Sequence, residues 1–238
     1  MSAFQQLLRV QEHDTAADRL RHRRANLPEL AELAAVEAAL GGVETALAGA
    51  SGRLAVVARE QSRLEDELAA TEGRIADLER RLYSGVVTVP RELQAMHADL
   101  ESLRRRRSAL EDEVLDTMAL REPVDAEVAG LEAERARLDG EGARLRGLVA
   151  EAQAGIDAEL AGEEVRRAEE ATGLPADLTA LYERLRARYG GIGAAPLVGG
   201  RCGGCHLTLP ATEVDRIRRE PPDALITCDQ CGRILVRS

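Results

Sequence analysis

Four cysteines fall in the last forty positions of the 238-residue chain, in the runs Arg201-Cys202-Gly-Gly-Cys205-His206 and Thr227-Cys228-Asp-Gln-Cys231-Gly232. Two residues between paired cysteines force a tight turn that aims both sulfurs at one point. Two such pairs offer four thiolates, the complete tetrahedral shell of Zn²⁺. The spacing therefore predicts one structural zinc ion held by Cys202, Cys205, Cys228 and Cys231, with no open coordination position and no catalytic role. Glycines at 203, 204 and 232 are read as freeing the backbone to wrap the sulfurs. Spacing alone does not separate this site from a four-cysteine iron–sulfur cluster. Cys202-Gly-Gly-Cys205-His206 also matches the c-type haem attachment pattern, but that chemistry needs export and no signal peptide is visible. A dithiol redox centre would sit at a helix start after a strand, which tandem pairs with knuckle glycines fit less well. His206 falls outside the shell, because Cys205 already takes the position beside it.

No other constellation suggests a reaction. His13, His22 and His97 lie in a long charged segment, and no Ser/His/Asp set, phosphate-cradling glycine loop or paired catalytic carboxylate stands out. The expectation is a protein that is not an enzyme.

Composition defines what positions the cysteines. Aromatic residues make up 2% of the chain against 31% charged, and one Phe with no Trp cannot fill a thick globular core. Enrichment in Ala, Glu, Leu and Arg marks long helices in a coiled coil. All 32 basic residues are Arg, which fits a GC-rich coding sequence and warns against reading each Arg cluster as a phosphate site. Residues 1–174 hold 23 basic against 35 acidic residues, and residues 175–238 hold nine against seven. The long segment should repel nucleic acid, while four thiolates and one zinc would bring the tail close to neutral. The amino terminus has no uninterrupted apolar core and no run of roughly 18 apolar residues follows, so the expectation is a cytoplasmic protein without a membrane association. A reducing compartment also favours metal ligation over disulfides.

From Leu33 to Leu82 one seven-residue ladder holds Leu33, Leu40, Leu47, Leu54, Leu68, Ile75 and Leu82, and a second holds Val36, Val43, Ala50, Val57, Leu64 and Leu78. Alternating steps of three and four place both along one helical seam, interrupted only by Gln61 and Thr71. Leu20 and Leu27 fit neither ladder, so the first helix is expected to bend or restart at Pro28. Gly85 and Pro90 in the run Tyr83–Pro90 end one helix and begin another. The second helix continues the seam on the ladders Leu93, Leu100, Arg107, Val114, Arg121, Val128 and Met96, Leu103, Leu110, Thr117, Val124, Leu131, Leu138, Leu145. The fold class expected is mainly α: a long antiparallel two-helix coiled-coil hairpin over residues 1–172, turning at about 83–90, and a small C4 zinc-ribbon domain with short helices over 173–238.

In that hairpin residue i is expected to face about 173 − i, placing Arg107 near Asp66 and Arg135 near Glu37. The same register sets Pro123 against Gly49–Gly52 and suggests a joint where both helices are weak. In the tail, a helix from Asp177 to about Arg188 precedes a glycine-opened loop. Short strands are expected at 207–209, 224–227 and 234–236, with a helix at 213–219. So small a domain would draw most of its folding free energy from zinc, about 10 kcal/mol.

The run Leu82-Tyr-Ser-Gly-Val-Val-Thr-Val-Pro-Arg-Glu-Leu93, together with Cys202-Gly-Gly-Cys205-His-Leu207 and Cys228-Asp-Gln-Cys231-Gly-Arg-Ile-Leu235, resembles the bacterial C4-type zinc-ribbon family formerly classed as a domain of unknown function. The resemblance spans nearly the whole chain. It implies a helical hairpin bearing a carboxy-terminal ribbon, with the four cysteines as metal ligands. Members of the family have been linked to regulation around sigma-54-type transcription, flagella or type III secretion, through binding of proteins or messenger RNA; only the architecture and the ligands carry over to these residues.

Two functions follow as expectations. One is a non-enzymatic adaptor or regulator that binds protein partners through hairpin and ribbon. The other is an RNA- or DNA-binding regulator using the ribbon, with Arg201, Arg216, Arg218, Arg219 and Arg233 as phosphate contacts. Against the second, Glu213, Asp215 and Glu220 can pair with the helical arginines, and only Tyr182 and Tyr189 offer rings for base stacking. The sequence leaves the oligomeric state open.

Overall fold

The computed structural model describes residues 2–237. Helix α1 spans Ala3–Ala25 and opens on a capping box, in which Ser2 Oγ accepts from the Gln5 amide at 3.2 Å and Gln5 Oε1 accepts from the Ser2 amide at 3.1 Å. It stops at Asn26, and α2 (Pro28–Tyr83) begins on Pro28, whose ring disfavours a helical conformation for Leu27. The expected break is therefore a full stop between two helices. After the irregular stretch 84–89, Pro90 opens α3 (Pro90–Ala171), 82 residues long. By contacts the chain divides into two units, residues 33–144 and residues 1–32 with 145–238.

Residues 33–144 form the antiparallel hairpin. The inward positions of α2 are those of the two ladders, with Ala50, Leu64, Ile75 and Leu82 buried and their ladder neighbours half-buried. Gln61 and Thr71 also lie inward. Thr71 returns its hydroxyl to the Glu67 carbonyl at 2.9 Å, while Gln61 accepts from Arg121 at 3.2 Å. From α3, Met96, Leu100, Leu110 and Leu138 complete the seam.

The register lies less than a heptad from the expected one. Arg106 meets Glu67 at 2.7 Å, the pairing that the expected register gives, whereas Arg53 meets Glu127 at 2.6 Å, Arg121 meets Gln61 and Arg104 meets Glu79 at 2.6 Å, so residue i faces residues between 173 − i and 183 − i. Arg107 pairs along its own helix with Glu111 at 3.3 Å instead of with Asp66. Over that range Pro123 faces residues 50–60, at the edge of the Gly49–Gly52 run, and α3 runs helical through Pro123.

In the other unit α1 packs on the ribbon. Leu7 and Val10 share a core with Leu178 and Tyr182 of α4 (Ala176–Arg188), with Ala194 of β1 (Ala194–Val198) and with Ile234 of β3 (Ile234–Arg237). Gln11 fastens it: its carbonyl accepts from the Gly193 and Ala194 amides at 2.7 and 3.2 Å, and its amide donates to the Gly191 carbonyl at 2.9 Å. The contacts thus group α1 with the carboxy-terminal residues, where the sequence suggested a division near residue 172.

The sheet has the order β2-β1-β3, β1 being antiparallel to β2 (Arg201–Cys202) and parallel to β3. Of the three strands expected in the tail only the last is a strand here. Thr208 and Thr227 make single bridges to Arg201 and Ile234, and the central strand Ala194–Val198 lies where a loop was expected. Helix α5 (Ala211–Arg219) stands close to its predicted span and buries Ile217.

The helical stretch Ala3–Tyr83 contains one window long and apolar enough to cross a membrane by composition, which qualifies the reading of the sequence. The alanine-rich run 33–50, with Glu37 and Glu44 as its only charges, has that composition.

Candidate metal centre

Both cysteine pairs sit on tight turns of the same design. In the first, the His206 amide donates to the Cys202 carbonyl at 2.8 Å; in the second, the Gly232 amide donates to the Cys228 carbonyl at 2.7 Å. The residue after each second cysteine is left-handed, His206 at φ +60° and Gly232 at φ +72°. A left-handed conformation suits glycine and costs another residue about 1–2 kcal/mol. Gly203 and Gly204 serve a different need from the one expected of them. Neither has positive φ; a Cβ at 203 would lie 2.9 Å from Pro196 Cδ, and one at 204 would lie 2.6 Å from Arg233 Cδ. Close approach of the knuckle to β1 and to the Arg233 side chain requires them.

The two turns face each other. Cys202 Sγ lies 3.9 Å from Cys231 Sγ, Cys205 Sγ lies 4.0 Å from Cys228 Sγ, and all four sulfurs fall within 4.8 Å of one another. A tetrahedron with Zn–S bonds of about 2.3 Å has edges of about 3.8 Å, so the sulfurs stand at the separation that the ion demands. Cys202 and Cys228 are buried among Ala195, Leu197, Leu209, Ile217, Ile226 and Leu235, which makes the centre part of the ribbon's core.

Burial pushes the thiols of Cys202 and Cys228 up, the latter to about 12. Cys231 goes the other way: burial works to raise it, but hydrogen bonds from the Arg233 amide and guanidinium and from Cys228 and Cys205 bring it down to about 7. Without a metal the set would hold protons in its core. Binding displaces them, as thiolate ligation of a divalent cation requires. The donor set is four sulfurs with no oxygen, nitrogen or open position, and it holds one structural zinc ion.

The arginines proposed as phosphate contacts are largely engaged elsewhere. Arg201 Nε donates to the His206 carbonyl at 2.6 Å, bracing the first knuckle. Arg233 donates to the Ile192 and Tyr189 carbonyls at 2.9 Å each and lies over the Tyr189 ring, 5.1 Å from its centroid. Arg216 pairs with Glu213 and, at 3.7 Å, with Glu220, and Arg218 lies 3.6 Å from Asp215. Arg219 is exposed and makes no ion pair among the described residues. His206 is exposed and outside the metal shell.

A second polar cluster in this unit lay hidden in the sequence. Asp14, 5% exposed, accepts from Tyr182 Oη at 2.7 Å and from Arg167 Nε at 3.1 Å, with Arg186 Nε at 3.5 Å. Asp18 takes the other end of Arg186 at 2.9 Å, and His13 meets Glu163 at 2.6 Å. Burial, then the hydrogen bond to Asp14, pushes the Tyr182 hydroxyl up, so it stays a donor. Every member faces an opposite charge or a donor, which marks a clamp joining α1, α3 and α4. In sequence Asp14 looks like any solvated helical carboxylate; its signal was only that it falls one turn after Val10 and two turns after Leu7.

Comparison with known proteins matches this architecture. A family model of the CT398-like coiled-coil hairpin domain covers residues 10–190, and one of the C4-type zinc ribbon covers residues 201–235. The chain is 30% identical over 231 residues to the uncharacterized protein Rv2229c of Mycobacterium tuberculosis, covering 97% of this chain and 94% of that one. A solved structure from Mycobacterium smegmatis is 29% identical and superposes with a TM-score of 0.88 over 100% of this chain and 98% of that one. CT398 of Chlamydia trachomatis, at 20% identity and a TM-score of 0.70 over 99% and 98% of the two chains, shares the fold.

Proposed function

This chain belongs to the CT398-like coiled-coil hairpin family, and from that premise we propose that it is a non-enzymatic cytoplasmic adaptor whose hairpin and ribbon bind protein partners. The observation that carries the reading is the incompleteness of the seam. Leu33, Val36, Leu40, Val43, Leu47, Leu54 and Val57 are only partly buried, because two helices cannot enclose a stripe that three or four would cover. A partner helix laid along this stretch would bury what the hairpin leaves open. The zinc-bearing unit supports the same reading, since the ribbon's metal shell is closed and the buried Asp14 of α1 is matched by arginines and a tyrosine.

Binding of RNA or DNA through the ribbon is a second reading, and Arg219 favours it as the one tail arginine of the proposed set with no ion pair or carbonyl among the described residues. One experiment separates the two. Full-length protein is used for affinity capture with and without nuclease. Partners retained after nuclease support the adaptor; partners lost with it, and a strong salt dependence of direct RNA or DNA binding, would reverse the order.

A further inference from the structure

The turn of the hairpin is built unlike its shaft. Tyr83, Val86 and Val89 are 75%, 82% and 54% exposed, whereas Val87 between them tucks against the cluster of Ile75, Leu82, Met96 and Leu100. An exposed tyrosine with two exposed valines at one turn is a patch that solvent disfavours. The backbone there is also unpartnered. Among the described residues the amides of Val87, Thr88 and Val89 and the carbonyls of Val86, Val87 and Thr88 make no protein hydrogen bond, and the Val86 amide reaches only Ser84 Oγ at 3.4 Å. Val86-Val87-Thr88-Val89 is a β-branched run without regular structure, and Pro90 disfavours a helical conformation for Val89, so its residue types suit pairing as a strand.

Charge selects the occupant. Residues 80–91 contain Arg80, Arg81 and Arg91 and no acid. Arg80 pairs with Asp77 at 2.6 Å, whereas Arg81 and Arg91, which bracket the exposed side chains, have no carboxylate partner among the described residues. We propose that the tip, residues 81–91, is a docking edge for an extended acidic segment of a partner protein. The segment adds as a strand beside Val86–Val89, seats apolar side chains on Tyr83, Val86 and Val89, and meets Arg81 and Arg91 with its carboxylates. Strand addition satisfies the open amides and carbonyls. A lipid surface does not, because unpaired backbone groups are costly in hydrocarbon, and nucleic acid has no use for the valines.

This inference rests on the adaptor reading and names one place where it acts. The test uses the full chain, immobilised, to select binders from a random 12-residue peptide library on phage. Selected peptides should be net acidic with apolar residues at alternate positions, and should protect the amides of Val87–Val89 from hydrogen exchange. They should bind the Val86→Ser, Val89→Ser double variant at least about tenfold more weakly, and the Arg81→Glu, Arg91→Glu variant likewise. All four positions are exposed, so unchanged far-UV dichroism and melting will show that the variants keep their fold. Peptides that bind both variants as tightly as the parent, peptides without acidic bias, or a selection that yields no tip-dependent binder would overturn the proposal. So would sedimentation of the parent chain with phosphatidylglycerol vesicles that the valine variant loses, which would assign the tip to lipid. Peptides that bind the shaft or the ribbon instead would remove the tip while leaving the adaptor standing.

Discussion

In residues 33–144 one contact is made again and again, a leucine or valine against its neighbours across two helices, whereas in the zinc-bearing unit nearly every contact is made once. Gln11 has one cradle, Asp14 one set of donors, and the four sulfurs one geometry. A repeated contact can be weakened at one rung while its neighbours hold; a unique one has no substitute. The hairpin should therefore respond to change gradually and the other unit abruptly.

The largest effect should come from the metal. Stripping zinc with a strong chelator should remove about 10 kcal/mol from the ribbon, unfolding it while most helical signal remains. Far-UV dichroism set beside one-per-chain metal analysis reads both, and Cys228→Ser should behave in the same way. Stoichiometric zinc retained in that variant would sink the four-ligand assignment.

Next is Asp14→Ala, which takes one carboxylate from Arg167 and from Arg186, leaving them Glu183 and Asp18, and leaves the Tyr182 hydroxyl without its acceptor. A loss of about 3 kcal/mol is expected, at the low end for a broken buried pair because both arginines keep some access to water. Urea titration followed by tyrosine near-UV signal measures it. Leu110→Ala, at a fully buried seam position, should cost about 2 kcal/mol, since a two-helix seam can close partly over the gap. If Leu110→Ala proved costlier than Asp14→Ala, the contrast between the two units would fail.

The knuckles sharpen the comparison at smaller scale. Gly232→Ala places a methyl in a left-handed residue and 2.7 Å from Tyr189 Oη, so about 1–2 kcal/mol and weaker zinc retention are expected. His206→Gly relieves the same conformation in the other knuckle and should hold zinc at least as well in a chelator competition. Smallest of all is Arg53→Ala. Its bridge to Glu127 joins side chains 56% and 47% exposed, and its melting temperature should fall by no more than about 0.5 kcal/mol implies.

Periodicity made the seam legible, because inward positions recur whatever lies opposite, and the cysteine pairs were legible because two-residue spacing has few other uses. The exact pairing across the hairpin was less so. It depends on how the 84–89 turn seats Val87, a contact that leaves no trace in the repeat. Strand β1 escaped because Ala194-Ala-Pro-Leu-Val198 carries a proline and lies between glycines, the marks of a loop. Pro196 is tolerated there because β2 pairs only with Leu197 and Val198. The docking of α1 was equally hidden, since Gln11 and Asp14 are polar residues whose burial is decided by partners more than 150 residues away.

That separation has a consequence on the ribosome. Leu7, Val10 and Gln11 are made well over 150 residues before Tyr182, Gly193 and Ile234, which cover them. At about 5–20 residues per second, synthesis leaves the apolar face of α1 uncovered for roughly ten to forty seconds, long enough for helix α1 to form and re-form many times. A nascent-chain binder specific for that face would have a window in every round of translation, and the window shuts only when β3 is made.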